Sequence, residues 1–324
     1  MRIAHLSDLH FGDAKTLSEV ERCTAFAIDA GFRGGVELAV ISGDSTDHAL
    51  DVHSPSFVAL ARLVRRLADH CPVLMLQGTF SHEPPGTLDV FRLLGGRFPV
   101  HVADRIHQVA WCGSEGWVAS ESWRFDDVPH GAKVLISCVP TVNKAVVAAT
   151  VGAGAAAEAV GQQLAALLAG FGEVNRRACA AGVPTVGVSH GTVSGCVTEH
   201  GVPMAGLDHE FTSGSLFAAG ASAFMLGHIH KHQAWKREGR LIAYPGSIGR
   251  LHYGEEDDKG FLLWDVTPGS ATFRFVQTPA RRMLHLTFDG RPDMEAVRAA
   301  VADAAGAFVR VRWQIAEEER ASVA

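Results

Sequence analysis

Aspartate and histidine side chains follow several short apolar segments of this 324-residue chain, where they could bind metal ions. The candidate ligands are two aspartates and four histidines: Asp8, His10, Asp44, His190, His228 and His230. Ser81 adds a possible hydroxyl ligand. Carboxylate oxygen and imidazole nitrogen without thiolate suit Mn²⁺, Fe²⁺ or Zn²⁺. The set is large enough for two divalent ions that share one bridging carboxylate.

The spacing of these residues favours one common site. Residues two apart in an extended chain face the same way, so Asp8 and His10 can point together, as can His228 and His230. Glycines at positions 43, 191 and 227 allow tight backbone turns beside a packed site. An Asp-x-His, a Gly-Asp or a His-x-His motif by itself is weak evidence for a metal site. Their joint occurrence, each after an apolar segment, indicates a dimetal centre.

The apolar segments themselves are predicted to be strands of a layered α/β architecture. They cover residues 2–7, 37–42, 73–77, 134–138, 185–189, 223–226 and 241–244. Several are apolar throughout, as expected for strands that are covered on both faces. Ligands of open α/β sheets gather outside the carboxyl ends of the strands. We therefore expect the strands to bring the aspartates and histidines to one edge.

Helices are predicted between these strands. Thr16 and Glu19 form a capping-box pattern, with Gly31 as the end of that helix. Ser54 and Pro55 are an N-cap and a first-turn proline for a helix that runs past Leu67. The remaining predicted elements are a helix over 155–181, a strand over 271–278, and a small α/β appendage with a strand at 284–288, a helix at 294–304 and a strand at 308–315.

Composition restricts the class of protein. The chain is 47% hydrophobic and 20% charged, which is ordinary globular usage and excludes disordered, collagen-like and disulfide-scaffold classes. Without a membrane-length apolar run or a signal-peptide pattern, we expect a cytoplasmic protein with no membrane partner. The six scattered cysteines are expected to be buried hydrophobes. Because the net charge is −6, any contact with nucleic acid must use local patches.

The order of the motifs resembles that of the calcineurin-like metallophosphoesterases, and more narrowly that of the SbcD-type nuclease subunits of DNA double-strand-break repair. The family order is D-x-H, G-D, G-N-H-D/E, H and G-H-x-H, and it is matched at Asp8/His10, Gly43/Asp44, 78–83, His190 and 227–230. In addition, 189–195 resembles H-G-x-V-S-G, and 244–248 with 254–255 and 259–261 resembles Y-P-G-S-I…G-E…K-G-F. The resemblance covers roughly residues 1–280.

The resemblance implies a β-sandwich flanked by helices over residues 1–278, the metallophosphoesterase fold, and an abbreviated capping domain over 279–324. It implies one metal ion held by Asp8, His10, Asp44 and His230. Asp44 would bridge to a second ion, held also by His190 and His228. His82 matches the family's catalytic histidine, which contacts the scissile phosphate.

The loop over 78–83 departs from the family pattern. Ser81 stands immediately before His82, where the family has an asparagine ligand, and the loop is two residues longer. Either Ser81 reaches the second metal or water replaces the amide oxygen, and Thr79 is a less favoured substitute. Glu83 is expected to orient His82. Asp47 is expected either to support a ligand or to cap the following loop.

The activity implied is hydrolysis of DNA phosphodiester bonds by a Mn²⁺-dependent exonuclease and single-strand endonuclease, with Fe²⁺ or Zn²⁺ as alternative metals. The implied partners are DNA, an SbcC-like ATPase whose docking helices are expected to be missing here, and a second copy of the chain. The dimer would use the helix after Pro55 and the segment 88–94. Two alternatives stay open: a phosphodiesterase or phosphatase for small substrates, and a metal-binding scaffold without catalysis.

Overall fold

The computed structural model describes residues 1–12, 14–94, 96–142, 153–198, 210–253, 255–304 and 306–316. The strands are β1 (Arg2–Leu6), β2 (Leu38–Ile41), β3 (Val73–Leu76), β4 (Val100–Ala103), β5 (His107–Trp111), β6 (Trp117–Ala119), β7 (Val134–Val139), β8 (Thr185–His190), β9 (Thr192–Val193), β10 (Glu210–Phe211), β11 (Ala223–Gly227), β12 (Gln233–Arg237), β13 (Arg240–Tyr244), β14 (Gly260–Thr267), β15 (Ser270–Gln277), β16 (Met283–Asp289) and β17 (Phe308–Gln314). The helices are α1 (Ala14–Arg33), α2 (Pro55–Ala68), α3 (Ala153–Ala180), α4 (Ser213–Ala218) and α5 (Met294–Asp303).

Two large sheets form the centre of the molecule. One has the strand order β15-β14-β1-β2-β3-β4, and the other has the order β12-β13-β11-β8-β7-β5-β6. Strands β1, β2, β3 and β4 pair in parallel with one another, as do β7, β8, β11 and β13. The predicted apolar segments are therefore the central strands, and their carboxyl ends share an edge within each sheet.

Successive side chains of the strands face opposite sides of each sheet, and the two sheets with their covering helices form a four-layer sandwich. Ile3 and Val40 pack between the two sheets, whereas Ala4 and Ile41 on the opposite faces of the same strands pack against α1 and α2. The second sheet is covered in the same way by α3 and α4, with Phe171 in the contact. Burial on both faces explains why strands such as β2 and β3 are apolar at every position. The helix-flanked β-sandwich that the sequence implied is confirmed.

The predicted start of α2 is confirmed, but both predicted ends of α1 are wrong. Ser54 Oγ accepts the Phe57 N–H at 3.2 Å, and proline stands in the first turn of α2. Helix α1 begins at Ala14 and runs through Gly31 to Arg33. Glu19 does not close a capping box, because its buried carboxylate accepts the Arg281 N–H at 2.6 Å and pairs with Arg22.

The appendage over the last described residues has the predicted strand–helix–strand order. Strands β16 and β17 pair in parallel, with Met283 opposite Phe308, and α5 connects them. No residue of α5 is buried. The role of this unit as a capping domain, with its boundary at residue 278, stays a prediction.

Two expectations from composition can be compared with the structure. Five of the six cysteines are buried, as predicted for small apolar side chains. In the part of the chain that the structure describes, every helix is too short or too polar to cross a lipid bilayer.

Candidate metal centre

The carboxyl ends of four strands converge on one site. Asp8 and His10 follow β1, Asp44 follows β2, His190 ends β8, and His228 with His230 follows β11. Asp8, Asp44 and His190 are buried, with at most 2% of each residue exposed. The structure thus brings together all six predicted aspartate and histidine ligands, in two clusters that lie side by side.

The first cluster contains Asp8, His10 and His230. The Nε2 atoms of His10 and His230 are 3.2 Å apart, and His230 Nε2 is 3.9 Å from Asp8 Oδ1. One ligand atom from each of the three residues lies within 4.8 Å of the others. The Asp8 carboxylate also accepts the backbone N–H of His228 at 3.1 Å, which connects this cluster to the second.

The second cluster contains Asp44, His190 and His228, and Thr79 joins it. Asp44 Oδ2, His190 Nε2 and Thr79 Oγ1 are each 3.2 Å from the other two. The Thr79 N–H donates to Asp44 Oδ1 at 2.7 Å. His190 Nδ1 donates to the Ser42 carbonyl oxygen at 2.8 Å, so its Nε2 is the nitrogen that faces the cluster.

These separations fit bound divalent metals. Ligands at 2.0–2.2 Å from one ion lie about 2.8–3.6 Å apart for right-angled or tetrahedral geometry. The pairs at 3.2 Å in both clusters fall in that range. Each cluster combines two imidazoles with one carboxylate, a donor set that suits a divalent cation. The donor set therefore fits one ion in each cluster.

Backbone conformation at the ligands is strained. The φ angles of Asp8, His10, Asp44 and His228 are +50°, +50°, +49° and +102°. Non-glycine residues rarely adopt positive φ, and such strain persists where a functional site requires it. Gly43, at φ +102°, has no room for a side chain, because a Cβ there would lie 2.2 Å from His190 Nδ1.

The loop over 78–83 places Thr79, rather than Ser81, beside Asp44 and His190. Ser81 is exposed, whereas Thr79 lines the cavity in front of the clusters. Thr79, and not Ser81, therefore reaches Asp44 and His190, because the two additional residues of the loop follow position 79. Thr79 directly follows Gly78, as the family's asparagine follows its glycine, and that signal could have identified it.

Glu83 does not orient His82 as expected. Its buried carboxylate accepts the N–H groups of Ser45 and Gly78, and so holds the loops after β2 and β3 together. Burial, followed by the nearby Asp44 charge, raises the pKa of Glu83 to about 7. The His82 Nδ1–H donates instead to the backbone carbonyl of Asp47.

Asp47 lies behind His10. Its Oδ1 is 3.6 Å from His10 Nδ1, and Oδ2 is 3.3 Å from His48 Nδ1. The contact with His10, ahead of all other causes, lowers the pKa of Asp47 to about 2. A carboxylate behind a ligating histidine fixes the ring and makes it a better ligand. Asp47 is placed to support His10 in this way.

The charges in the second cluster are strongly coupled. Burial disfavours a cationic His190, but the adjacent Asp44 carboxylate overcomes this and raises the pKa of His190 to about 10. Burial likewise opposes ionisation of Asp44, yet the contact with His190 holds the pKa of Asp44 well below its usual value. Without a metal, the pair is an imidazolium and a carboxylate. A metal ion that binds here must displace the imidazolium proton.

Glu255 and Lys259 lie behind His230 and were given no role by sequence reasoning. Both side chains are buried, and they form an ion pair at 2.8 Å. Burial opposes ionisation of Glu255, but His230 and Lys259 together lower its pKa to about 2. The signal that could have found them is the G-E…K-G-F stretch, in which both residues stand.

The clusters open into a cavity of about 330 Å³. His82 lines it beside His10, with the two ring centroids 4.8 Å apart. Leu251 and His252 form another part of the wall. His82 Nδ1 is engaged with a carbonyl group, so its Nε2 is the nitrogen that remains for a molecule bound at the metals.

No protein-family model matches this chain. Over 90 residues it is 37% identical to the uncharacterized metallophosphoesterase YhaO of Bacillus subtilis, a match that spans 28% of this chain and 21% of that protein.

Three solved structures resemble the fold at a distance. GAP50, described as the anchor in the inner membrane complex of Plasmodium, has a TM-score of 0.49 and 11% identity, and the alignment covers 98% of each chain. A dimetal phosphatase from Danio rerio has a TM-score of 0.44 and 10% identity over 84% of this chain and 98% of that one. An archaeal phosphodiesterase has a TM-score of 0.37 and 11% identity over 85% and 100%.

Proposed function

We propose that this protein is a metal-dependent phosphodiesterase. The observation that carries the proposal is the pair of adjacent clusters: in each, the ligand atoms of three aspartate and histidine residues lie within 4.8 Å of one another, and Thr79 joins the second. The local similarity to a protein named as a metallophosphoesterase supports the same chemistry. A scaffold without catalysis would have no use for buried, strained ligands beside an open cavity.

Residues of the chain have separable tasks in the proposed reaction. Asp8, His10 and His230 would hold one ion, and Asp44, Thr79, His190 and His228 the other. Two such ions neutralise the phosphate and acidify the attacking water when bound. His82 would donate a proton from Nε2 to the departing oxygen, a contribution of about 10²–10⁴-fold in rate. The hydrogen bond from its Nδ1 to the Asp47 carbonyl fixes the ring for this task.

We infer that DNA is the substrate and that Mn²⁺ is the preferred metal. The support is the resemblance of the motifs to the SbcD-type nucleases. One observation favours a second candidate, a small phosphodiester: the cavity is only about 330 Å³, and a chain of net charge −6 has little general attraction for a polyanion.

The test compares substrates under one set of conditions. End-labelled single- and double-stranded DNA, bis-p-nitrophenyl phosphate and cyclic nucleotides are incubated with Mn²⁺, Mg²⁺ or Zn²⁺. DNA cleavage that requires Mn²⁺ supports the nuclease. Cleavage of the small esters alone supports the second candidate, and no cleavage of any phosphodiester despite metal binding refutes both.

Partners of the enzyme are also proposals. An SbcC-like ATPase would provide further DNA contacts, and a second copy of the chain would form a dimer. The apolar face of α2, with Leu60 and Leu67, is buried in the core of this chain, which leaves Leu93, 83% exposed, as the apolar group available in the predicted dimer region. Light scattering of Leu93→Glu against the unmodified protein tests the dimer.

A further inference from the structure

A buried ion pair lies directly behind the metal ligand His230. Lys259 Nζ is 2.8 Å from Glu255 Oε2, and neither side chain is exposed to solvent. The second oxygen of the same carboxylate, Oε1, is 3.7 Å from His230 Nδ1. Removing two charges from water is costly, and a buried pair forms only where additional hydrogen bonds complete both groups.

Those additional hydrogen bonds lead to the backbone around His230. Lys259 Nζ donates to the His230 carbonyl oxygen at 2.9 Å. The Glu255 carboxylate accepts the N–H groups of Leu251 at 3.3 Å and His252 at 3.2 Å. The pair therefore contacts His230 at two points: the carboxylate faces the ring, and the ammonium group binds the main chain.

The backbone of the segment that carries Glu255 has a second anchor besides the Glu255 carboxylate. The buried guanidinium of Arg250 donates to the carbonyl oxygens of Glu255 at 2.9 Å, Asp257 at 3.0 Å and Ala280 at 3.0 Å. A purely structural role for the carboxylate would duplicate this anchor. Its position 3.7 Å behind a ligand nitrogen instead matches the arrangement in which a carboxylate orients a metal-binding histidine.

We propose that Glu255 and Lys259 are positioning residues that fix His230 for metal binding in the cluster with Asp8 and His10, an inference that rests on the metal centre of the proposed function. Glu255 sets the direction of the imidazole ring and strengthens its Nε2 as a ligand. Lys259 pairs with this carboxylate at 2.8 Å and immobilises the backbone of His230 through its carbonyl oxygen. Loss of such a supporting carboxylate typically weakens metal binding by about 10–100-fold.

The experiment measures Mn²⁺ binding by isothermal titration calorimetry, with thermal unfolding of each metal-free variant alongside. Glu255→Gln removes the charge and keeps the shape. The matched control is Asp257→Asn, because Asp257 forms a half-exposed ion pair with Lys231 at 3.1 Å in the same two segments without facing His230. We expect Glu255→Gln to lower the affinity for one of the two Mn²⁺ ions by about 10–100-fold and to leave the affinity for the other ion unchanged. Asp257→Asn should bind both ions as the unmodified protein does.

Lys259→Met alone leaves a buried, unpaired carboxylate and can fail to fold, so the double variant Glu255→Gln/Lys259→Met is included. It removes both charges, which the fold tolerates better than one. It should retain the unfolding temperature of Glu255→Gln and show the same selective loss of one ion.

Two results overturn the proposal, and they are distinguishable. If Glu255→Gln and the double variant bind both Mn²⁺ ions as tightly as the unmodified protein while only their unfolding temperature falls, the pair is structural. If the unmodified protein itself binds no divalent ion, the metal centre of the proposed function fails together with this inference.

Discussion

Thr79→Val is the most informative change in the second cluster. Valine keeps the shape of threonine but removes the hydroxyl oxygen that lies 3.2 Å from both Asp44 Oδ2 and His190 Nε2. A polar contact with a charged group contributes about 1.5–3 kcal/mol, which corresponds to about 10–150-fold in affinity. The backbone N–H of Thr79 still holds Asp44 Oδ1 at 2.7 Å. We therefore expect the lower end of the range, which is an affinity for the metal ion of the second cluster reduced by about tenfold.

The assay is a Mn²⁺ titration followed by calorimetry, with hydrolysis of a phosphodiester measured at each metal concentration. Thr79→Ser retains the hydroxyl and should bind both ions. Ser81→Ala is the matched control, because Ser81 is exposed on the same loop and does not line the cavity. The three variants together separate a ligand at position 79 from a general effect of changing the loop.

The reverse pattern would refute this reasoning. If Ser81→Ala lowered the affinity for the second ion while Thr79→Val left that affinity unchanged, the ligand would be the serine that the sequence motif suggested. Equal affinity in all three variants would mean that neither hydroxyl contributes to metal binding.

Three further predictions concern the same site. His82→Asn should retain both metals by elemental analysis and lose about 10²–10⁴-fold in turnover; unchanged turnover would show that His82 is not the proton donor. Gly43→Ala should destabilise the protein by about 1–3 kcal/mol through its backbone alone, and should also displace His190, since the added Cβ would lie 2.2 Å from Nδ1; denaturant unfolding with a metal titration measures both effects. The pKa of His190 is raised from 6.5 to about 10, so its pairing with Asp44 stabilises the metal-free protein fully below pH 6.5 and is lost as the pH rises through 10. The free energy of unfolding of the metal-free protein should therefore fall between these two pH values. A free energy of unfolding that stays constant over this range would contradict the raised pKa.

The ligand set could be predicted from the sequence because each ligand lies a few residues beyond an apolar strand. Val40 and Val188, for example, belong to strands buried on both faces, and such strands are recognisable from composition. Parallel strands then bring Asp44 and His190 to one edge of the sandwich. The short, polar edge strand β12 had no such signal and was missed.

The supporting contacts could not be predicted in the same way. The length of the 78–83 loop does not say whether its two additional residues precede or follow the ligand, and only the contact of Thr79 with Asp44 decides this. Glu19 matched a capping pattern, but a tertiary contact with Arg281 governs its position. Glu255 and Lys259 stand in a recognisable motif, yet their position behind His230 depends on a chain reversal that the sequence does not specify.

The most direct test of the dimetal centre is anomalous diffraction from crystals of the protein soaked in Mn²⁺. The dimetal centre predicts two peaks about 3.5–4 Å apart, one in contact with Asp8, His10 and His230 and the other with Asp44, Thr79, His190 and His228. A single peak elsewhere, or no peak at these residues at saturating Mn²⁺, would contradict it.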